Sequence, residues 1–183
     1  DTDGFGLSKL SYGVGIGLRL VLPIGPIRLD GAVNPDRQPG EESWVLHLPP
    51  GVEIIDRPLP PGYLLREVEP TDDEAVWTVL EDAFLEWSVR EREPFEDFLA
   101  ETRQRPGFES WNLRLVANEV GTVVAAVVLQ MSQAGDEPEG FVDRVAVRRH
   151  QRGQGIAQAL LADAFRLARE HGAVKCGLST DSR

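Results

Sequence analysis

The segment that most restricts this chain is Arg144-Val145-Ala146-Val147-Arg148-Arg149-His150-Gln151-Arg152-Gly153-Gln154-Gly155-Ile156-Ala157-Gln158-Ala159-Leu160-Leu161. It reads as a strand that runs into a short loop ending in Gly153-Gln154-Gly155, with an Ala/Leu-rich helix starting at once. Backbone N–H groups at a helix start have no intrahelical partner and lie at the positive end of the peptide dipoles, so such a junction favours anions. Glycine at 153 and 155 allows a pyrophosphate to approach that backbone with no Cβ in the way. Arg152 adds a guanidinium that can fork onto phosphate oxygens. Taken alone, Gly-x-Gly is more simply a glycine turn. No Gly-Lys-Ser/Thr follows, which removes a Walker A loop, and the second half of Gly-x-Gly-x-x-Gly is missing, which removes a dinucleotide fingerprint.

The surroundings alternate strand-like and helix-like blocks from Gly62 onward, which sets the chain in the α/β (α+β) class. Tyr63 to Val68 reads as a strand, and Thr71-Asp72-Asp73-Glu74 as a capping box opening a helix with Val76, Leu80, Ala83, Phe84 and Trp87 on its inner face. A second helix is expected from Pro94 to Gln104 with Phe95, Phe98 and Leu99 inward. Asn112–Asn118 and Thr122–Met131 read as a hairpin turned at Val120-Gly121. Phe141–Arg148 is a further strand, Gln154–His171 a helix and Val174–Thr180 a last strand.

Arg152, Gly155 and Ala157 match the Arg/Gln-x-x-Gly-x-Gly/Ala signature of the GNAT N-acetyltransferases, with Val145-Ala146-Val147 ahead of it as in that family. The chain resembles that family over about residues 62–183, and the wording of the blocks is similar to the tandem acetyltransferases related to mycothiol synthase. The resemblance implies a mixed central sheet flanked by helices, and acetyl transfer from acetyl-CoA to a primary amine of a small molecule or peptide. It also implies that Val145 and Val147, with Ala146 between them, offer backbone groups to pantetheine. The amides of Arg152, Gly153, Gln154, Gly155, Ile156 and Ala157 would hold the pyrophosphate. Members usually protonate the departing thiolate with a tyrosine on a helix after the last strand seen here. The sequence stops at Ser179-Thr180-Asp181-Ser182-Arg183 and its tyrosines, Tyr12 and Tyr63, do not match that position. The resemblance therefore implies a domain lacking its last helix and strands, with a non-catalytic acyl-CoA-binding module as the alternative to an enzyme.

Acetyl transfer to an amine needs a group that takes a proton from the ammonium. In a regular strand Phe141, Asp143, Val145 and Val147 share a face, which makes Asp143 the base candidate; its plainer reading is an ion pair with Arg144. Cys176 lies in an apolar strand and reads as a buried small hydrophobe rather than a nucleophile. His150 is placed in the phosphate loop, where it either touches the ligand or stands in solvent. Trp77 and Trp87 read as core residues, or one of them as a wall of the acceptor site. Asp72, Asp73, Glu74, Glu81, Asp82, Glu86, Glu91, Glu93, Glu96 and Asp97 read as a solvated face, or as a field that draws in a cationic amine.

Residues 1–49 are glycine-rich and form a short β-meander extension: Val14 to Leu22, then Ile27 to Asp30, then Ser43 to Leu48. Their alternation resembles the closing strands of outer-membrane barrels of the BamA type. About three strands cannot close a barrel, so a soluble β-extension or joined sequence is the other reading. A proline-rich linker, residues 50–61, follows, and little packing is expected across it. A net charge of -11 argues against a nucleic-acid binder, which needs a basic face, and weakly against an anionic membrane surface. One cysteine and three histidines without ligand spacing set metal chemistry aside. Without a leader or a long apolar run, the acetyltransferase part is expected in the cytoplasm.

Overall fold

The run Val123-Val124-Ala125-Ala126-Val127-Val128-Leu129 is buried at every position, the mark of a central strand covered on both faces. The computed structural model, which describes residues 14–22, 25–33, 44–48, 53–86, 88–132 and 137–180, builds an eight-stranded sheet around it. The strands are β1 (Val14–Leu22), β2 (Gly25–Val33), β3 (Trp44–Leu48), β4 (Tyr63–Glu67), β5 (Leu113–Asn118), β6 (Val123–Ser132), β7 (Glu139–Val147) and β8 (Lys175–Thr180). Their spatial order is β1-β2-β3-β8-β7-β6-β5-β4. Neighbours β4 to β7 run antiparallel, and β7 and β8 form the parallel pair, from Glu139 opposite Lys175 to Val142 opposite Leu178. The sheet is therefore mixed, as the sequence implies.

Among the described residues three helices cover the sheet: α1 (Asp73–Leu85), α2 (Phe95–Glu101) and α3 (Ile156–Glu170). On one face Ile156, Leu160, Ala164 and Ala168 recur every fourth position along α3 and pack on Val116, Val127, Leu129 and Val142. Gly140 permits the close crossing of α3 over β7, because a Cβ there would stand 2.5 Å from that of Ala168. On the other face Val76, Val79 and Leu80 of α1 and Phe98 of α2 enclose Leu113, Leu115, Ala126 and Val128.

Several boundaries shift from the sequence reading. The expected Thr71/Glu74 capping box forms instead between Glu69 and Asp72 around a 3-10 turn, Pro70–Asp72. Pro70 presets φ for that turn, and the Glu69 N–H donates to Asp72 Oδ2 at 2.9 Å. Helix α1 then starts at Asp73. Helix α2 is shorter than 94–104, and α3 starts at Ile156 rather than Gln154 because Gly155 has φ 84°. The amino-terminal strands are not set apart as expected. Strand β3 is hydrogen-bonded antiparallel to β8, Trp44 opposite Thr180 through Leu48 opposite Cys176, and Ile54 and Leu59 of the linker pack against the α3-side core. Tyr12, Trp87, residues 34–43 and residues 181–183 lie outside the described residues.

The acidic helix residues do not form a simple solvated face. Asp72 pairs with Arg66, Asp73 with Arg103, Asp82 with Arg92, and Glu81 with Arg90. Glu81 is the most enclosed: its side chain is 2% exposed, it accepts from Arg90 at 2.6 and 3.0 Å, and it accepts from the Glu93 N–H at 2.9 Å. Burial alone raises its carboxyl, but the Arg90 guanidinium and the Glu93 N–H together hold it below the usual glutamate range. Replacing it leaves two donors without their acceptor, so Glu81→Gln is expected to cost about 2 kcal/mol in urea unfolding at neutral pH. The folded carboxyl is depressed, so its contribution is present above the unfolded pKa of about 4 and is lost as pH falls through the folded value. The gap between the wild-type and Glu81→Gln proteins should therefore narrow on acidification.

Candidate active site

Strand β7 carries the site because its pairing changes halfway along. Val128 of β6 stands opposite Arg144 and Leu129 opposite Val142, so Asp143 has no partner and forms a bulge. The bulge resets the pleat. Val142, Val145 and Val147 all join the α3-side core, whereas Ala146 packs with α1 and α2 and Arg144 reaches Glu93 at 2.5 Å. The sequence expectation that Phe141, Asp143, Val145 and Val147 share one face is thus corrected. Asp143 Oδ2 lies 3.5 Å from Arg144 Nε, a contact between consecutive residues that a regular strand would point to opposite faces.

The ladder between β7 and β8 ends at Val142–Leu178, just before the bulge. Beyond it β8 continues along β3 while β7 continues along β6. The Arg148 N–H donates to Val124 O at 2.8 Å, so Ala146, two residues earlier, also turns its backbone groups towards β6. By the same alternation Val145 and Val147 turn theirs to the edge that β8 has left. Each of these two residues therefore offers an unladdered N–H and C=O beside the diverging strands; Val147 O accepts from Arg152 Nε at 2.9 Å.

The loop at the end of β7 passes through a 3-10 turn, Arg149–Gln151, and two left-handed glycines, Gly153 at φ 78° and Gly155 at φ 84°. An L-residue there would be strained. A Cβ on Gly153 would meet nothing within 4 Å, and one on Gly155 only the Gln158 side chain at 3.9 Å, so this backbone is openly presented. A hollow of about 290 Å³ lies here, lined by Val147, Arg152, Gly153, Gly155, Ile156 and Ala157 together with Gln151 and Gln158. Six of the nine residues named from the sequence for binding thus converge on one hollow. Gln154 is exposed beside it, Val145 lies further along β7, and the Ala146 side chain faces the other layer. Arg152 is not free. Its guanidinium donates to Glu86 at 2.8 and 3.1 Å.

Sequence reasoning missed Tyr63. At the start of β4, its hydroxyl donates to Gln151 Oε1 and approaches Gln154 Oε1 at 3.3 Å, joining the edge strand to the glycine loop. The contact spans 88 residues and has no local signal. His150 is exposed. Trp77 is half-buried, donates to Glu93 O at 3.0 Å and packs on Phe95. A second hollow, about 330 Å³, opens on the α1 side of β7 between Glu81, Phe84, Arg90, Glu93 and Arg144. Among the described residues no group of three or more histidine, cysteine, aspartate or glutamate side chains could hold a metal, and no helix is long and apolar enough to cross a membrane.

A bulged strand, a splayed parallel neighbour and an open glycine loop at a helix start define an α/β protein with a free strand edge that leads to a helix start of the kind that favours anions. The family model described as Acetyltransferase (GNAT) family matches residues 74–182, and the chain belongs to that family. A GCN5-related N-acetyltransferase from Sphaerobacter thermophilus superposes with TM-score 0.62 at 29% identity over 76% of this chain and 42% of its own length. A GNAT family acetyltransferase from Brucella melitensis, solved in complex with acetyl-CoA, gives TM-score 0.52 at 20% identity, over 66% of this chain and 77% of its own. A GCN5-related N-acetyltransferase from Kribbella flavida gives TM-score 0.52 at 21% identity, over 74% and 47%. This chain thus spans less than half the length of the Sphaerobacter and Kribbella proteins. No curated protein sequence matches it.

Cys176 is not part of the site. It is fully buried, its Sγ 3.8 Å from Phe165 O, and burial pushes its thiol up to about 11. Native protein at pH 8 should therefore react with a disulfide reagent at least about 100-fold more slowly than unfolded protein, followed by absorbance of the released thiolate.

Proposed function

We propose that this chain transfers the acetyl group of acetyl-CoA to a primary amine of a small molecule or peptide. The observation that carries the reading is the open backbone edge of Val145 and Val147, which leads from the glycine loop to the bulge at Asp143. The residues fit the ligand. Amides from Arg152 to Ala157 would take the pyrophosphate at the start of α3, where the glycines leave room. Backbone groups of Val145 and Val147 would hold pantetheine as an added strand holds to a sheet edge, with Ala146 anchored to β6 between them.

When bound, acetyl-CoA supplies a thioester whose carbonyl carbon accepts the amine nitrogen, so that a C–N bond forms, the C–S bond breaks, and the coenzyme A sulfur leaves as a thiol with the second proton that the nitrogen loses on becoming an amide. Asp143 stands at the bulge of β7, partly exposed and 3.5 Å from Arg144. In this reading its carboxylate takes the ammonium proton, directly or through water. The Tyr63 hydroxyl is held at the phosphate loop by Gln151, which keeps it from the role of proton donor to the thiolate. The hollow on the α1 side of β7 would receive the acceptor, with Phe84 as its apolar wall. The cytoplasm, which supplies acetyl-CoA, is the compartment we assign to this domain.

Titration calorimetry with acetyl-CoA should show binding that Gly155→Val weakens at least about tenfold, since the new side chain strains φ and crowds the phosphate. With a panel of amines, thiol release should follow, and Asp143→Asn should lower kcat about 100-fold with the Kd for acetyl-CoA unchanged. Binding without turnover would leave a non-catalytic acyl-CoA-binding module; no binding would sink both readings.

A further inference from the structure

Among the described residues Arg152 is the one arginine lining the glycine-loop hollow, and its guanidinium is occupied by Glu86 through two hydrogen bonds of 2.8 and 3.1 Å. Glu86 stands 66 residues away in sequence, at the carboxyl-terminal cap of α1. A carboxylate at that end opposes the helix dipole, and the last turn of α1 has no basic residue, so its own helix gives Glu86 no compensation. Its compensation comes from the phosphate loop. The fork geometry is the one a guanidinium adopts on a phosphate, so the carboxylate stands in for two phosphate oxygens. Both side chains are partly exposed, at 44% and 30%, and such a pair is weak and sensitive to salt. A pyrophosphate carries more negative charge than a carboxylate and would also accept from the amides at the start of α3.

We propose that Glu86 is an intramolecular competitor for Arg152, which sets the affinity for acetyl-CoA and ties its arrival to the end of α1. The inference rests on the coenzyme A reading above. Binding of the pyrophosphate draws Arg152 from Glu86 and releases the last turn of α1. That helix also carries Glu81 and Phe84 into the second hollow, so an event at the phosphate loop reaches the wall facing Arg144. Glu86 acts through Arg152 and is a positioning residue.

The test is a double-mutant cycle of Glu86→Gln and Arg152→Ala, with acetyl-CoA titrated at low and high salt and hydrogen exchange followed at the end of α1. Glu86→Gln should lower the Kd about two- to fivefold at low salt, and the gain should shrink as salt rises. In the Arg152→Ala background the same substitution should change nothing. Acetyl-CoA should speed exchange at the last turn of α1 in the wild-type chain and not in Glu86→Gln. An unchanged or weaker affinity for Glu86→Gln overturns the proposal, as does a gain that persists without Arg152. Failure of all four forms to bind acetyl-CoA instead overturns the coenzyme A reading, and this proposal with it.

Discussion

Asp143 has no partner on β6, and from that residue onward β7 has no partner on β8 either. A strand in the middle of a sheet normally loses both backbone edges to its neighbours. Here an added residue bends β7 and the parallel strand departs, so two successive outward-turning residues, Val145 and Val147, are left to bond something else. The rest of the structure accommodates this opening. Helix α3 bridges the diverging strands on one face, packing on Val142 and Cys176, and α1 covers the other face of β7. The glycine loop sits at the mouth of the opening because it is the continuation of β7 itself.

Charge is arranged around the same strand. The chain carries -11 at neutral pH, yet much of the acidic excess near α1 is consumed locally by arginines. Arg144 gathers Glu93, Glu101 and Asp143, and Glu81 is closed in by Arg90 and the Glu93 N–H. Paired charges of this kind set geometry more than they set a long-range field. They hold the segment between α1 and α2 against β7, and so define the hollow beside the bulge.

Much of the element order is legible from local pattern. The stripe of α3, the apolar run of β6 and the hairpin at Val120-Gly121 follow from periodicity and turn chemistry that any short window contains. The glycine loop is legible for the same reason, since its strand, glycines and helix are contiguous. The bulge is not. Parity counted along the sequence puts Asp143 with Val145, and the added residue that breaks this count is defined only by the register against β6. Nor does local pattern show that Pro70 moves the cap of α1 to Glu69 and Asp72.

The sequence by itself determined the family, through Arg152, Gly155 and Ala157 behind a Val-Ala-Val strand, and with it the expectation of a mixed sheet around an anion-binding helix start. Those features depend on backbone conformation, which nearby residues dictate. Only the tertiary structure decided that Arg152 is held by Glu86, that Tyr63 braces the loop, and that β7 parts from β8 at Asp143. Each of these joins segments dozens of residues apart, and a long-range contact leaves no periodic trace in the segments it joins.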